Sequence, residues 1–293
     1  MKFVKYFFEF IIIILFFIFC KLLGVKKSSD FACKVFKKIG PLIRSNKKTL
    51  QHIKIAFPNI ENEKSKEIIE SMWCNYGRTF AEYMHLEYFR KNNNQNIIIT
   101  NLEKLEELKN LKKPILFFSG HFANFELLAM YLDKNNFNIS ALYRPLNNIF
   151  LNPIMENLRK KYICRNQIPK TIPGQQKYKF GAKKLIKKIK NKENIAFMID
   201  QKVTQGIQVD LFDRKALTMD LPAQMALKYG YVLQPLRIQR YDSINFRINI
   251  DDPIEISAND DVQSITLKIN FKLEEMIKEN PKQWIWTHKR WKI

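Results

Sequence analysis

The stretch from Phe3 to Leu23 constrains this chain most. Its core, Phe10 to Cys20 (FIIIILFFIFC), is uncharged, and the longer run carries only Lys5, Glu9 and Lys21. About 20 apolar residues in a helix match a bilayer's hydrocarbon thickness, whereas the eleven-residue core alone would be too short. Lys5 and Lys21 lie near the ends, where long side chains reach the interface, and Glu9 lies nearer a boundary than the centre. A cleaved leader needs small residues at its cleavage site, and Cys20-Lys21-Leu22-Leu23-Gly24 offers none. A buried soluble helix is rarely this purely aliphatic and aromatic. Residues 1–25 therefore read as a membrane anchor. Lys26, Lys27, Lys34, Lys37, Lys38, Arg44, Lys47 and Lys48 follow, against the single acid Asp30. The positive-inside rule predicts a single-pass protein with residues 26–293 on the cytoplasmic side. The same lysines suit anionic lipid head groups.

Beyond the anchor, the spacing predicts amphipathic helices over 28–57, ended by Pro58, and a second helical block over 63–88, so 26–90 reads as a helical, membrane-proximal layer. The pattern then changes. Pro114–Ser119 (PILFFS) and Asn194–Ile199 (NIAFMI) are short continuous apolar runs, as expected of strands buried on both faces. Ile139–Arg144 and Val232–Ile238 read as further strands, and Phe246–Ile256 as an edge strand because Pro253 interrupts it. Helical patterns lie between them over 125–132, 152–162, 178–190 and 222–229, and a last one over 261–279. Alternating strands and helices predict an α/β fold, a mainly parallel sheet with helices on both faces, in one domain. Hydrophobic residues at 46% and charged residues at 27% exclude overall disorder. The four cysteines (Cys20, Cys33, Cys74, Cys164) fit no zinc or redox spacing and read as buried small hydrophobes in a reducing compartment.

In open α/β sheets, ligands bind beyond the carboxyl ends of the strands. Three such ends carry unusual polar residues: Ser119-Gly-His-Phe-Ala-Asn-Phe-Glu126, Tyr143-Arg-Pro145 and Asp200-Gln201. His121 and Glu126, five apart, would point about 140° from each other on one helix. With His121 in the turn after the strand and Glu126 in the first helical turn, their side chains can meet. A carboxylate on one imidazole nitrogen then fixes the tautomer, and the other nitrogen takes a proton from a hydroxyl. The chain lacks a Gly-x-Ser-x-Gly elbow and has no cysteine at a strand end, so direct transfer to an activated hydroxyl is expected, with neither metal nor cofactor.

H-x-x-x-x-E after a buried strand is similar to the H-x-x-x-x-D/E motif of glycerolipid acyltransferases. SGHFANFE, together with NKKTLQHIKIAFPN at 46–59, YRPLNN and NP within 143–153, IDQKVTQGIQVDLFDRKALT at 199–218 and PKQWIWTHKRWK at 281–292, resembles the lipid A late acyltransferases nearly end to end. The resemblance implies transfer of an acyl chain from acyl carrier protein to the hydroxyl of a 3-hydroxyacyl chain on a lipid A precursor. His121 would be the general base and Glu126 its partner. Arg144, Asp200, Gln201 and Asn124 would bind substrate or hold the dyad. The family often has glycine and tryptophan where this chain has Ala123 and Phe125, and Phe-Phe-Gly where it has Leu211-Phe212-Asp213; the last change bears on a tight turn.

The net charge of +22 suits anionic partners. Under this reading they are acyl carrier protein, a phosphorylated acceptor and inner-membrane anionic lipids. A nucleic-acid binder has no use for the strand-end histidine, and no nucleic-acid-binding motif is present. Trp284, Trp286 and Trp291, with His288, Lys289, Arg290 and Lys292, read equally as a head-group belt or as a tail packed on the core.

Overall fold

The fold was obtained as a computed structural model that describes residues 2–91, 95–170, 180–288 and 290–291. Parts of the expected break at 92–96 and helix at 178–190, with Lys289 and Lys292, lie outside the described residues.

Five helices come first: α1 (Lys2–Leu23), α2 (Val25–Ile43), α3 (Asn46–Ala56), α4 (Asn62–Glu82) and α5 (Leu86–Lys91). Then follow β1 (Ile97–Thr100), α6 (Leu102–Asn110), β2 (Ile115–Ser119), α7 (Glu126–Lys134), β3 (Ser140–Tyr143), α8 (Leu151–Leu158), β4 (Asn166–Pro169), α9 (Gly181–Lys190) and β5 (Ile195–Met198). The chain continues through β6 (Ile207–Leu211), β7 (Arg214–Thr218), α10 (Leu221–Tyr229), β8 (Val232–Asp242), β9 (Asn245–Ile250) and α11 (Val262–Glu279). The main sheet runs β1-β9-β8-β2-β5-β3-β4, and only β8 and β9 pair antiparallel. It is a mostly parallel sheet flanked by helices, as the alternation predicts. α1 is long and apolar enough to cross a membrane.

β2 is central and buried at every residue, which explains its uninterrupted apolar run. β9 departs from the expected edge strand. It lies between β8 and β1, and Pro253 falls beyond its end at Ile250, so no ladder bond is lost to proline. In the hairpin β6–β7, Leu211 faces Arg214 across Phe212 and Asp213, both at φ 52°. Two left-handed residues make the turn that matches strand twist, and Asp tolerates that conformation. The tight turn therefore survives without glycine.

Helix ends follow capping chemistry. Asp261 accepts from Ser264 N while Ser264 Oγ accepts from Asp261 N, a capping box that starts α11. Gly230 ends α10 in the left-handed region. α2 and α4 pack closely because Gly77 leaves no side chain, where a Cβ would strike the Ala32 carbonyl. Here the cysteines depart from the expectation. Cys33 and Cys74 form a disulfide across these helices, with Cα atoms 3.9 Å apart, while Cys20 and Cys164 are free and buried.

Candidate active site

β2 and β5 are hydrogen-bonded neighbours, and Ile199 N continues the ladder to Ser119 O (3.0 Å). The residues just past both strands, His121 and Asp200, are thereby brought together although 79 positions separate them. His121 Nδ1 lies 2.7 Å from Asp200 Oδ1, and the His121 backbone N–H donates to Asp200 Oδ2 at 2.7 Å. Trp284 Nε1 donates to the same Oδ2 at 2.8 Å. Asp200 is wholly buried. Burial alone would raise its pKa. The His121 ring, its two hydrogen bonds and His288 outweigh burial and hold the carboxyl well below the usual carboxylate range. An ionised Asp200 only accepts, so it fixes the Nδ1–H tautomer and leaves His121 Nε2 as the acceptor.

The connection carrying His121 is pinned by the end of the chain. Phe122 bridges to Trp284, Ile285 N donates to His121 O (3.2 Å), and Ala123 N donates to Gln283 O (3.2 Å). Ala123 has φ 44°, a region that glycine enters without strain. Thr79 Oγ1 (2.9 Å) and Asn75 Nδ2 (3.2 Å) hold its carbonyl in place. Trp284, Trp286 and Trp291 are all buried, so the packed-tail reading applies to the tryptophans and the head-group belt does not.

The expected His121–Glu126 contact is not formed. Glu126 opens α7, and its Oε1 accepts from Arg159 Nε (3.0 Å), Arg159 Nη2 (2.9 Å) and the Tyr83 hydroxyl. Arg159 sits in a π-turn after α8, with its guanidinium over the rings of Tyr83 and Tyr143. Burial would lower its pKa, but Glu126 and Tyr83 raise it, so the cation is secure. A carboxylate occupied by an arginine is not free to orient an imidazole, whereas Asp200 has the shorter reach across adjacent strands. Asp200, and not Glu126, is the carboxylate that contacts His121.

Gln201 stands where a site residue is expected: its amide lies 3.2 Å from His121 Nε2, and Lys170 Nζ donates to its Oε1 at 3.3 Å. That lysine bond orients the amide so that its NH₂ faces the imidazole. Burial lowers the Lys170 pKa, Asp200 raises it and Arg144 lowers it further. Arg144 is exposed and lines the cavity described below. Asn124 is not at the cavity. It is buried, and its Nδ2 donates to Glu82 Oε2 at 2.9 Å, so it braces the loop against α4.

A cavity of about 150 Å³ opens at these strand ends. Its apolar wall includes Phe117, Leu128, Leu132, Ile163, Phe197 and Leu236, and its polar rim includes His121, Glu126, Arg144, Arg159, Lys170 and Gln201. Arg159 Nη1 is buried without a hydrogen-bond partner among the described residues. His288 packs edge-to-face on His121, ring centroids 4.8 Å apart, and its Nε2 is likewise unpartnered. Burial and neighbouring His121 push His288 down to about 4, so it is neutral near pH 7. Ligand atoms of His121, Asp200 and His288 lie within 4.8 Å of one another, a spacing a metal ion can use. Both Asp200 oxygens already accept N–H bonds, so the donor set favours the hydrogen-bonded dyad.

Tyr83, Arg159 and Lys170 escape sequence reasoning as site residues. The first two sit in helical stretches where an aromatic or basic residue looks like ordinary amphipathic patterning.

A mostly parallel sheet, a carboxylate-held histidine at its strand ends, an apolar cavity beside it and an apolar first helix together define an α/β protein built to act on lipid-like groups. The chain belongs to the bacterial lipid A biosynthesis acyltransferases: that family's model matches residues 1–293, the entire chain. No curated protein matches it closely enough to refine this assignment.

Proposed function

We propose that this acyltransferase moves a fatty acyl chain from acyl carrier protein to the free hydroxyl of a 3-hydroxyacyl chain on a lipid A precursor, at the cytoplasmic face of the inner membrane. The observation that carries the chemistry is the Asp200-held His121, whose Nε2 is left to accept a proton beside an apolar cavity. The acceptor hydroxyl displaces the Gln201 amide and gives its proton to Nε2. Its oxygen bonds to the thioester carbonyl carbon as the carbonyl electron pair moves onto oxygen. Arg159, with an unpartnered Nη1 at the rim, donates to that oxyanion, and Glu126 holds the guanidinium in place. Collapse breaks the C–S bond, and the departing thiolate takes the proton from His121. Asp200 stays ionised and supports the imidazolium between these steps.

The apolar wall receives the acyl chain. Arg144 and Lys170 face anionic groups of donor or acceptor. The lysines after α1 favour the cytoplasmic side, and acidic acyl carrier protein complements the +22 charge.

The test is a mass spectrum of lipid A from cells lacking the protein, complemented with wild type or His121→Ala. One secondary acyl chain should return with wild type only. Unchanged lipid A in every strain, with redundant enzymes removed, would overturn the acceptor and direct attention to other glycolipids or lysophospholipids. Purified protein offered acyl carrier protein and coenzyme A thioesters separately would settle the donor.

A further inference from the structure

α1 is long enough to cross a bilayer, but it is not free of the domain. One stripe of it touches the protein along nearly its whole length. At its start, the Phe150 ring meets Phe3, Phe7 and Phe10 at 5.0, 5.7 and 5.8 Å. Asn148 Nδ2 donates to Tyr6 O (2.8 Å) and to Glu9 Oε2 (3.4 Å). Further along, Phe16 and Phe17 pack on Phe80 of α4. At its end, His85 Nε2 bonds Cys20 O (3.1 Å), and Lys21 Nζ donates to Met84 O (3.1 Å). From Phe3 to Lys21 is about 27 Å of helix, against about 30 Å of hydrocarbon.

A helix held this way cannot cross the membrane alone. Set upright, it would carry the β3–α8 connection, residues 144–150, to the far side of the hydrocarbon. Arg144 and the irregular backbone around Asn148 would then be immersed, where charges and loop peptides are disfavoured. The opposite stripe is different: Val4, Phe8, Ile12, Leu15, Phe19 and Leu22 recur at helical spacing and are exposed, Ile12 at 67% and Leu22 at 81%. Ile149, at the tip of the connection, is also exposed.

We infer that α1 does not span the bilayer but lies within a single leaflet, flat against its own domain. Its outer stripe faces acyl chains, and Lys2 and Lys5 return to the head groups of the same side, where anionic lipids complement them. The inference rests on the membrane association proposed above and replaces the spanning anchor expected from the sequence, on which the orientation by lysines depends. It adds that the N-terminus and the domain share one side. Arg144, four residues from Asn148, then sets the cavity rim at the leaflet surface, so a lipid acceptor enters laterally.

The test is side-specific labelling of the full chain in cells with a permeabilised outer membrane, using a membrane-impermeant maleimide on Lys2→Cys and, separately, on Lys26→Cys. Wild type controls for the native thiols. Both positions should stay unlabelled until the inner membrane is opened, then label together. Labelling of Lys2→Cys from outside intact inner membranes, with Lys26→Cys protected, would overturn the inference. So would release of the protein by alkaline carbonate, or disulfide crosslinking of Leu15→Cys between two copies, which assigns the outer stripe to a dimer. Should Lys2→Cys fail to accumulate, an epitope tag preceding Met1 and probed with external protease asks the same question. None of these readouts uses acyl transfer, so failure of the lipid A reading appears separately, in the lipid A mass spectrum.

Discussion

Asp200 at the strand ends and Glu82 in the helical layer are both sealed from water, yet their partners differ. Glu82 accepts from Arg240 Nη1 (2.5 Å) and Nη2 (3.0 Å), Ser29 Oγ (2.8 Å) and Asn124 Nδ2 (2.9 Å). None of these donors gives up its proton near neutral pH. The cluster ties α2, α4, the His121 loop and β8 together, and none of its residues lines the cavity at the strand ends. Asp200 instead holds an imidazole that can change charge, and a cavity adjoins that imidazole. A buried carboxylate ringed by permanent donors is structural. One whose partner can accept a proton beside a cavity can do chemistry.

The largest effect that tests this contrast is Asp200→Asn. It should keep the fold by circular dichroism yet lower the turnover number by about 10³–10⁴, since the amide favours the wrong His121 tautomer. Near-normal turnover would erase the distinction between the two carboxylates. Arg240→Met should do the reverse. An uncompensated buried charge costs about 3–5 kcal/mol of stability by denaturant unfolding, while molecules that remain folded keep turnover within about twofold. Next comes pH. His288 has its pKa lowered in the folded state, so the unfolded chain binds more protons between pH about 6.5 and 4. Stability should therefore be full above that window and fall by up to about 3 kcal/mol as pH drops through it. Melting curves of His288→Phe should be flatter there. Glu126→Gln should be the mildest, lowering turnover about 10²-fold through a misplaced Arg159. A loss as large as that of Asp200→Asn would restore Glu126 as the partner of His121.

Much of the scaffold is legible because its strands are buried on both faces. β2, β3 and β5 appear as short apolar runs, and the polar residues that stop them mark the cavity. β1, β4 and the β6–β7 hairpin are harder to see. β1 is buried at only one of its four residues, β4 opens on the polar pair Asn166-Gln167, and the hairpin turn uses Phe212-Asp213 in place of glycine. Within the site, His121, Arg144, Asp200 and Gln201 are readable as strand-end residues. Their pairing is not, because Glu126 is near in sequence while Asp200 is near only after β2 and β5 align. Nothing local marks Glu126 as the partner of Arg159, since the π-turn that aims Arg159 has no simple pattern.

The segment from Gln283 to Ile285 locks the His121 loop, and Trp284 completes the donors around Asp200. During synthesis α1 leaves the ribosome and can already reach a bilayer long before Trp284 is added. Until it arrives, the nascent chain holds a histidine and an aspartate that are not yet clamped. The chain can thus meet a membrane before the His121–Asp200 pair is clamped, and a chain stalled short of Trp284 would lack that clamp.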